Sequence, residues 1–128
     1  MLRSITMAIA LMSATAAQAQ SSTKYVASGQ LVTLGFFYST NPDCSSIGRP
    51  TIRITRSPDH GRVTVVQTTG FPTFPSSNIR SVCNRRRVAG ATLNYVSQRG
   101  FGGTDYVQAE IIFASGNYRQ VSYIINVR

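Results

Sequence analysis

The stretch "NYVSQRGFGGTDYVQ", residues 94–108, decides how this chain is built. Three glycines, Gly100, Gly102 and Gly103, fall within it between a tyrosine and an aspartate. Two structures compete for such a segment. A phosphate-cradling glycine loop runs from a strand into a helix, whose first amides and dipole hold the anion. A tight corner instead hands one strand to the next. After Asp105 the chain sets Val107, Ala109, Ile111 and Phe113 against Tyr106, Gln108, Glu110 and Ile112. That period of two belongs to a half-buried strand, and no Gly-Lys-Ser/Thr follows the glycines. The segment therefore reads as a corner. Gly100 and Gly103 permit the turn, and Asp105 accepts backbone hydrogen bonds from it.

The same period recurs along the chain, with no helical stripe of useful length. "GQLVTLGFFYST" predicts a strand at about 31–39, and "PTIRITRS" alternates Ile52 and Ile54 against Thr51, Arg53 and Thr55. "GRVTVVQT" puts Val63 and Val65 on one face, and "ATLNYV" does the same for Ala91, Leu93 and Tyr95. "YRQVSYIINVR" sets Val121, Tyr123, Ile125 and Val127 inward, and a short first strand falls near Lys24–Ala27. Gly116-Asn117 between two long alternating runs signals a two-residue hairpin. Ser57-Pro58-Asp59-His60-Gly61 reads as another hairpin turn, in which Pro58 presets one dihedral and Gly61 supplies a positive φ. About seven short strands in some 110 residues predict an all-β, antiparallel sandwich.

One segment resists the pattern. From Thr68 to Val88 the chain reads "TTGFPTFPSSNIRSVCNRRRV", and Pro72 and Pro75 forbid a central strand there. A loop of about twenty residues in a compact domain is usually functional or disordered.

The first nineteen residues are read as a processing segment. Arg3 precedes a short apolar run from Ile5 to Met12, and Ala17-Gln18-Ala19 is an A-x-A cleavage site. The run is far short of the ~20 residues that span a bilayer, so it is expected to be cleaved after Ala19, not kept as an anchor. That leaves one domain, 20–128, exported to the periplasm or secreted, and not membrane-spanning. Its formal charge falls from +9 to +8 with the loss of Arg3. Its only cysteines, Cys44 and Cys83, are expected to pair in an oxidising compartment. Such a bridge would tie down the long loop and stabilise the fold by roughly 4 kcal/mol on the chain-entropy estimate.

Three short motifs carry a resemblance: "PDHGRV" (Pro58 to Val63), "GATLNYV" (Gly90 to Val96) and "GFGGTDYV" (Gly100 to Val107). In this order they resemble the bacterial Ig-like and cadherin-like repeat domains over roughly residues 50–128. The resemblance implies an Ig-like sandwich in which His60, Gly61, Gly103 and Asp105 are structural landmarks. The chain departs from that pattern by standing as a single exported domain, by the length between Gly61 and Tyr95, and by its cysteine pair. All three departures direct attention to the loop.

The chemistry is sparse. His60 lies in a tight turn, no serine sits in a G-x-S-x-G elbow, and the carboxylates after residue 19 are Asp43, Asp59, Asp105 and Glu110. Neither a hydrolytic triad nor a paired-carboxylate site can be assembled from spacing. With one histidine, no D-x-D run and strong positive charge, no metal and no cofactor is expected. The remaining signal is the loop, where Arg80, Arg85, Arg86 and Arg87 accompany Phe71 and Phe74. Arginines there offer charge and phenylalanines apolar anchors. The expectation is a non-enzymatic binding module for an acidic envelope or extracellular partner: lipopolysaccharide phosphates, an acidic glycan or an acidic protein. Nucleic acid fits poorly, because no nucleic-acid-binding motif is present. The alternatives are a structural envelope component whose arginines only solvate it, and an unrecognised hydrolase.

Overall fold

Alternating sequence resolves into two packed sheets. The computed structural model describes residues 20–128, so the expected leader, 1–19, lies outside the described residues. In chain order the strands are β1 (Gln20–Val26), β2 (Val32–Thr40), β3 (Ser46–Gly48), β4 (Thr51–Arg56), β5 (Gly61–Gly70), β6 (Val88–Ser97), β7 (Gly103–Ile112) and β8 (Tyr118–Val127). A 3₁₀ helix, Ile79–Arg85, interrupts the passage from β5 to β6. One sheet has the order β1-β8-β7-β4 and the other β3-β2-β6-β5. The pairings are antiparallel except that β1 runs parallel to β8, with Gln20 opposite Val121 and Val26 opposite Val127. Among the described residues no helix is long and apolar enough to cross a membrane.

The inward faces are those that the alternation predicts for β6, β7 and β8. Leu93, Tyr95, Val107, Ile111 and Ile125 are fully buried and join Val121, Tyr123 and Val127 in one core. Each such aliphatic side chain contributes about 1.5–3 kcal/mol by leaving water. On β4, Ile52 and Ile54 are half-buried against that core. In β2 the period breaks: Leu34 and Phe37, three apart, are both buried. A bulge between Thr33 and Gly35 shifts the register and turns both side chains inward.

Four local expectations need correction. β5 continues through Gly70, so the irregular segment is 71–87 rather than 68–88, and part of it is helical. Val63 packs against the core, but Val65 is exposed, because the edge strand β5 there runs clear of the opposite sheet. The β7–β8 connection is five residues, 113–117, closed by Phe113 N–H donating to Asn117 O at 2.8 Å, not a two-residue turn. Gly116 N–H donates to Phe113 O at 2.8 Å, and Gly116 takes φ +90°. The Ser57–His60 turn makes no hairpin, since β4 and β5 belong to different sheets and the turn crosses between them.

Gly61 also differs from expectation. It has no positive φ. Space is what requires glycine: a Cβ there would sit 2.6 Å from Val96 O and 2.6 Å from the Tyr95 ring. Gly61→Ala is expected to cost about 2 kcal/mol, the range for overpacking against fixed neighbours. A lowered urea midpoint at unchanged slope would register it.

Candidate functional site

The residues singled out in the sequence gather at two places. At the first, Asp105 sits at the start of β7, 1% exposed, with its carboxylate fully engaged. Oδ1 accepts from Asp59 N–H at 2.9 Å and from its neighbour Tyr106 N–H at 3.0 Å. Oδ2 accepts from His60 N–H at 3.1 Å and from the Tyr95 hydroxyl at 2.8 Å. Asp105 thus clamps the Pro58–Gly61 turn of the opposite crossing, instead of the glycine corner beside it in sequence. The His60 ring stacks on Phe101 at 4.2 Å between centroids. Gly100 and Gly103 have φ +82° and +142°, as a corner requires, and Gly100 N–H donates to Ser28 Oγ at 3.0 Å. No helix follows the glycines, and β7 begins at Gly103. Pro58, His60, Gly61, Gly100, Gly103 and Asp105 therefore join three chain crossings.

Burial, and then the hydrogen bond to and charge of Asp105, push the Tyr95 hydroxyl well above its ordinary value, and burial raises Tyr123 as well. A raised folded value means stability that is complete below pH ~10 and is lost as pH rises through the folded values. In an alkaline titration the ionisation of these two tyrosines should coincide with loss of the β-sheet circular dichroism. Tyr95→Phe should remove its own part of that absorbance step.

The second place is the loop. Cys44 and Cys83 are disulfide-bonded, which fastens the 3₁₀ helix to the β2–β3 connection. Asn78 caps the helix by accepting from Arg80 N–H at 2.8 Å. In a 3₁₀ helix residues three apart eclipse, so the side chains fall into three rows. Arg80, Cys83 and Arg86 face the β2–β3 connection: Arg80 Nε donates to Thr40 O at 3.1 Å and Arg86 donates to Asp43 O at 3.4 Å. Asn84, from the second row, donates to Phe74 O and accepts from Phe74 N–H, both at 2.9 Å. The third row is Ile79, Val82 and Arg85, all exposed, with Ile79 72% and Val82 66% accessible. Arg87 lies over the exposed Phe71 ring, 5.0 Å from its centroid.

The expected arginine cluster is thus divided. Arg85 faces solvent and Arg87 lies over Phe71, while Arg80 and Arg86, the latter also exposed, donate to backbone carbonyls at the base of the loop. Phe74 is no outward anchor; its half-buried ring packs edge-on against Tyr38 at 5.4 Å. Asp43 is held below the ordinary carboxylate range, chiefly by the Ser45 hydroxyl and N–H and to a smaller degree by Arg86. Ile79 and Val82 were missed because prolines and serines around them gave no helical signal.

Beneath the loop, between the 3₁₀ helix, the end of β2 and the β7–β8 turn, is an open cleft of about 540 Å³. Tyr38, Phe74, Tyr118, Arg80 and Arg119 are among the residues that line it. Arg119, also absent from the sequence reading, is placed 5.1 Å over the Phe113 ring. Among the described residues no group of three or more His, Cys, Asp or Glu is gathered as a metal site. No family, curated protein or solved structure matches this chain.

Proposed function

We propose that this is an exported, non-enzymatic Ig-like binding module that engages an acidic envelope or extracellular partner through its disulfide-tethered loop. The observation that carries this reading is that the row Ile79, Val82 and Arg85 and the Arg87–Phe71 stack, both in the one tethered loop, are all exposed. A short loop normally turns its apolar side chains inward. Here capping, a disulfide and two arginine contacts hold them in water. Exposed apolar groups with guanidinium neighbours, already ordered, are how a protein surface limits the entropy lost on binding. The excess of positive charge selects an acidic partner and repels a basic one.

The Ig-like assignment draws support from the strand order. β2, β6 and β5 stand where strands B, E and D of an Ig sandwich would, and β4, β7 and β8 where C, F and G would. β1 lies on the sheet of β8, and the disulfide joins a loop to a helix instead of sheet to sheet. The intact disulfide fits a protein of the periplasm or the extracellular space.

The test is capture from envelope extract at low and high salt, comparing the wild type with Arg85, Arg86 and Arg87 all replaced by Ser, and with Ile79→Ser/Val82→Ser. A partner held by the wild type at low salt, released at high salt and lost by both variants is the expected result. Equal retention by all three proteins would overturn the reading.

A further inference from the structure

We propose that the cleft under the loop binds a carboxylate-bearing sugar residue, the repeating unit of an acidic glycan. This rests on the reading of the protein as a binder of acidic partners, and it adds to the outer loop surface a separate pocket at its foot.

Volume comes first. About 540 Å³ falls within the roughly 300–1,000 Å³ of small-ligand sites, enough for one or two sugar rings. Charge comes second. The lining includes Arg80 and Arg119 and no Asp or Glu, so an anion meets no like charge there. Neither guanidinium is loose. Arg80 is fixed through Nε to Thr40 O, which leaves its terminal amino groups for a ligand. Arg119 rests on the Phe113 ring. A planar guanidinium suits a carboxylate in a two-point contact, which a compact ammonium would not.

The rest of the lining distinguishes a sugar from a bare anion. Tyr38 and Phe74 form a T-shaped pair, and Tyr118, half exposed, lies at the β7–β8 turn. Rings suit the apolar C–H face of a pyranose. Amides and hydroxyls of Asn78, Asn117, Ser39 and Ser115 complement its hydroxyl groups. Thr40, which lines the same cleft, has a buried Oγ1 with no hydrogen-bond partner. A phosphate group would use the arginines and leave the rings uncovered.

The experiment is calorimetric and NMR titration of the purified protein with tetragalacturonate, with its methyl ester, and with inorganic phosphate. Wild type, Arg119→Gln and the Arg85→Ser/Arg87→Ser protein are compared after circular dichroism confirms that each is folded. The galacturonate should bind and shift amide signals of Thr40, Asn78 and Arg119, while the neutral ester should not bind. Arg119→Gln should weaken binding at least about ten-fold, the effect of losing one charge-assisted contact. The Arg85→Ser/Arg87→Ser variant should bind within about two-fold of wild type, since those side chains neither line the cleft nor fasten the loop. Binding lost in the Arg85→Ser/Arg87→Ser variant but kept in Arg119→Gln would overturn the cleft and leave the loop as the binding surface. Equal affinity for phosphate and galacturonate would assign the site to a simple anion and overturn the sugar. No binding by wild type would overturn the cleft proposal alone, because capture through the loop is read separately.

Discussion

Asp105→Ala is expected to lower stability by about 3–5 kcal/mol, the largest effect of any single substitution in this protein. Truncation leaves Asp59 N–H, His60 N–H and the Tyr95 hydroxyl without their acceptor. Each orphaned buried donor costs about 1–3 kcal/mol, less where water can enter, and the outer part of the turn is exposed. For a domain of this size the melting temperature should fall by on the order of 15 °C. Asp105→Asn separates shape from hydrogen bonding. Its amide keeps the volume but presents N–H groups to a site that offers donors, so it should recover little of the loss. Tyr95→Phe removes one donor and leaves the three backbone contacts, and should cost about 1–2 kcal/mol. A Tyr95→Phe/Asp105→Ala protein measured beside the two single variants would show coupling, because both losses fall on one hydrogen bond. Additive losses would mean that the clamp is not a unit.

The second large effect belongs to the disulfide. Cys44 and Cys83 are 39 residues apart, and cross-linking a loop of that length stabilises by about 4 kcal/mol on the chain-entropy estimate. Cys44 also holds a left-handed backbone, φ +71°, a conformation costing on the order of 1 kcal/mol that the uncrosslinked chain can relax. The Cys44→Ser/Cys83→Ser protein should therefore lose about 3 kcal/mol in urea or thermal unfolding. Its sheets should persist, because neither cysteine lies in a strand or in the main core cluster. Partner capture should fall further than stability does, since the Ile79–Val82–Arg85 row depends on the tether for its orientation. A folded variant that still captures its partner at wild-type level would show that the loop needs no tether.

The sheets were legible because burial on one face leaves a period of two in the sequence, as in Val107, Ala109 and Ile111. Where burial was incomplete the same rule misled. Val65 keeps the period but stands on an edge strand running beyond its cover. Gly61 was assigned a positive φ because a turn glycine usually has one, whereas crowding by Tyr95 and Val96 was visible only in three dimensions. At the candidate site, the loop and its cysteine pair could be read from prolines and composition. The division of its arginines could not, since a three-residue repeat over seven positions is too short to announce itself. Arg119 and Tyr118 were hidden for another reason. They sit in an ordinary alternating strand, and their relation to Arg80 exists only because the β7–β8 turn lies against the loop.

The parallel pairing of β1 with β8 has a consequence for how the chain reaches this form. Gln20 and Val121, neighbours across the ladder, are separated by roughly a hundred residues of chain. Ser28 N–H donates to Arg128 O and Arg128 N–H to Val26 O, so the far end of β1 is fastened at residue 128 itself. Strand β1 must therefore wait for β8, with every described element between them already made. Such topology has high contact order, and folding of this kind takes milliseconds to seconds. The first sheet therefore closes only once β8 is present, and until then β1 has no strand to pair with.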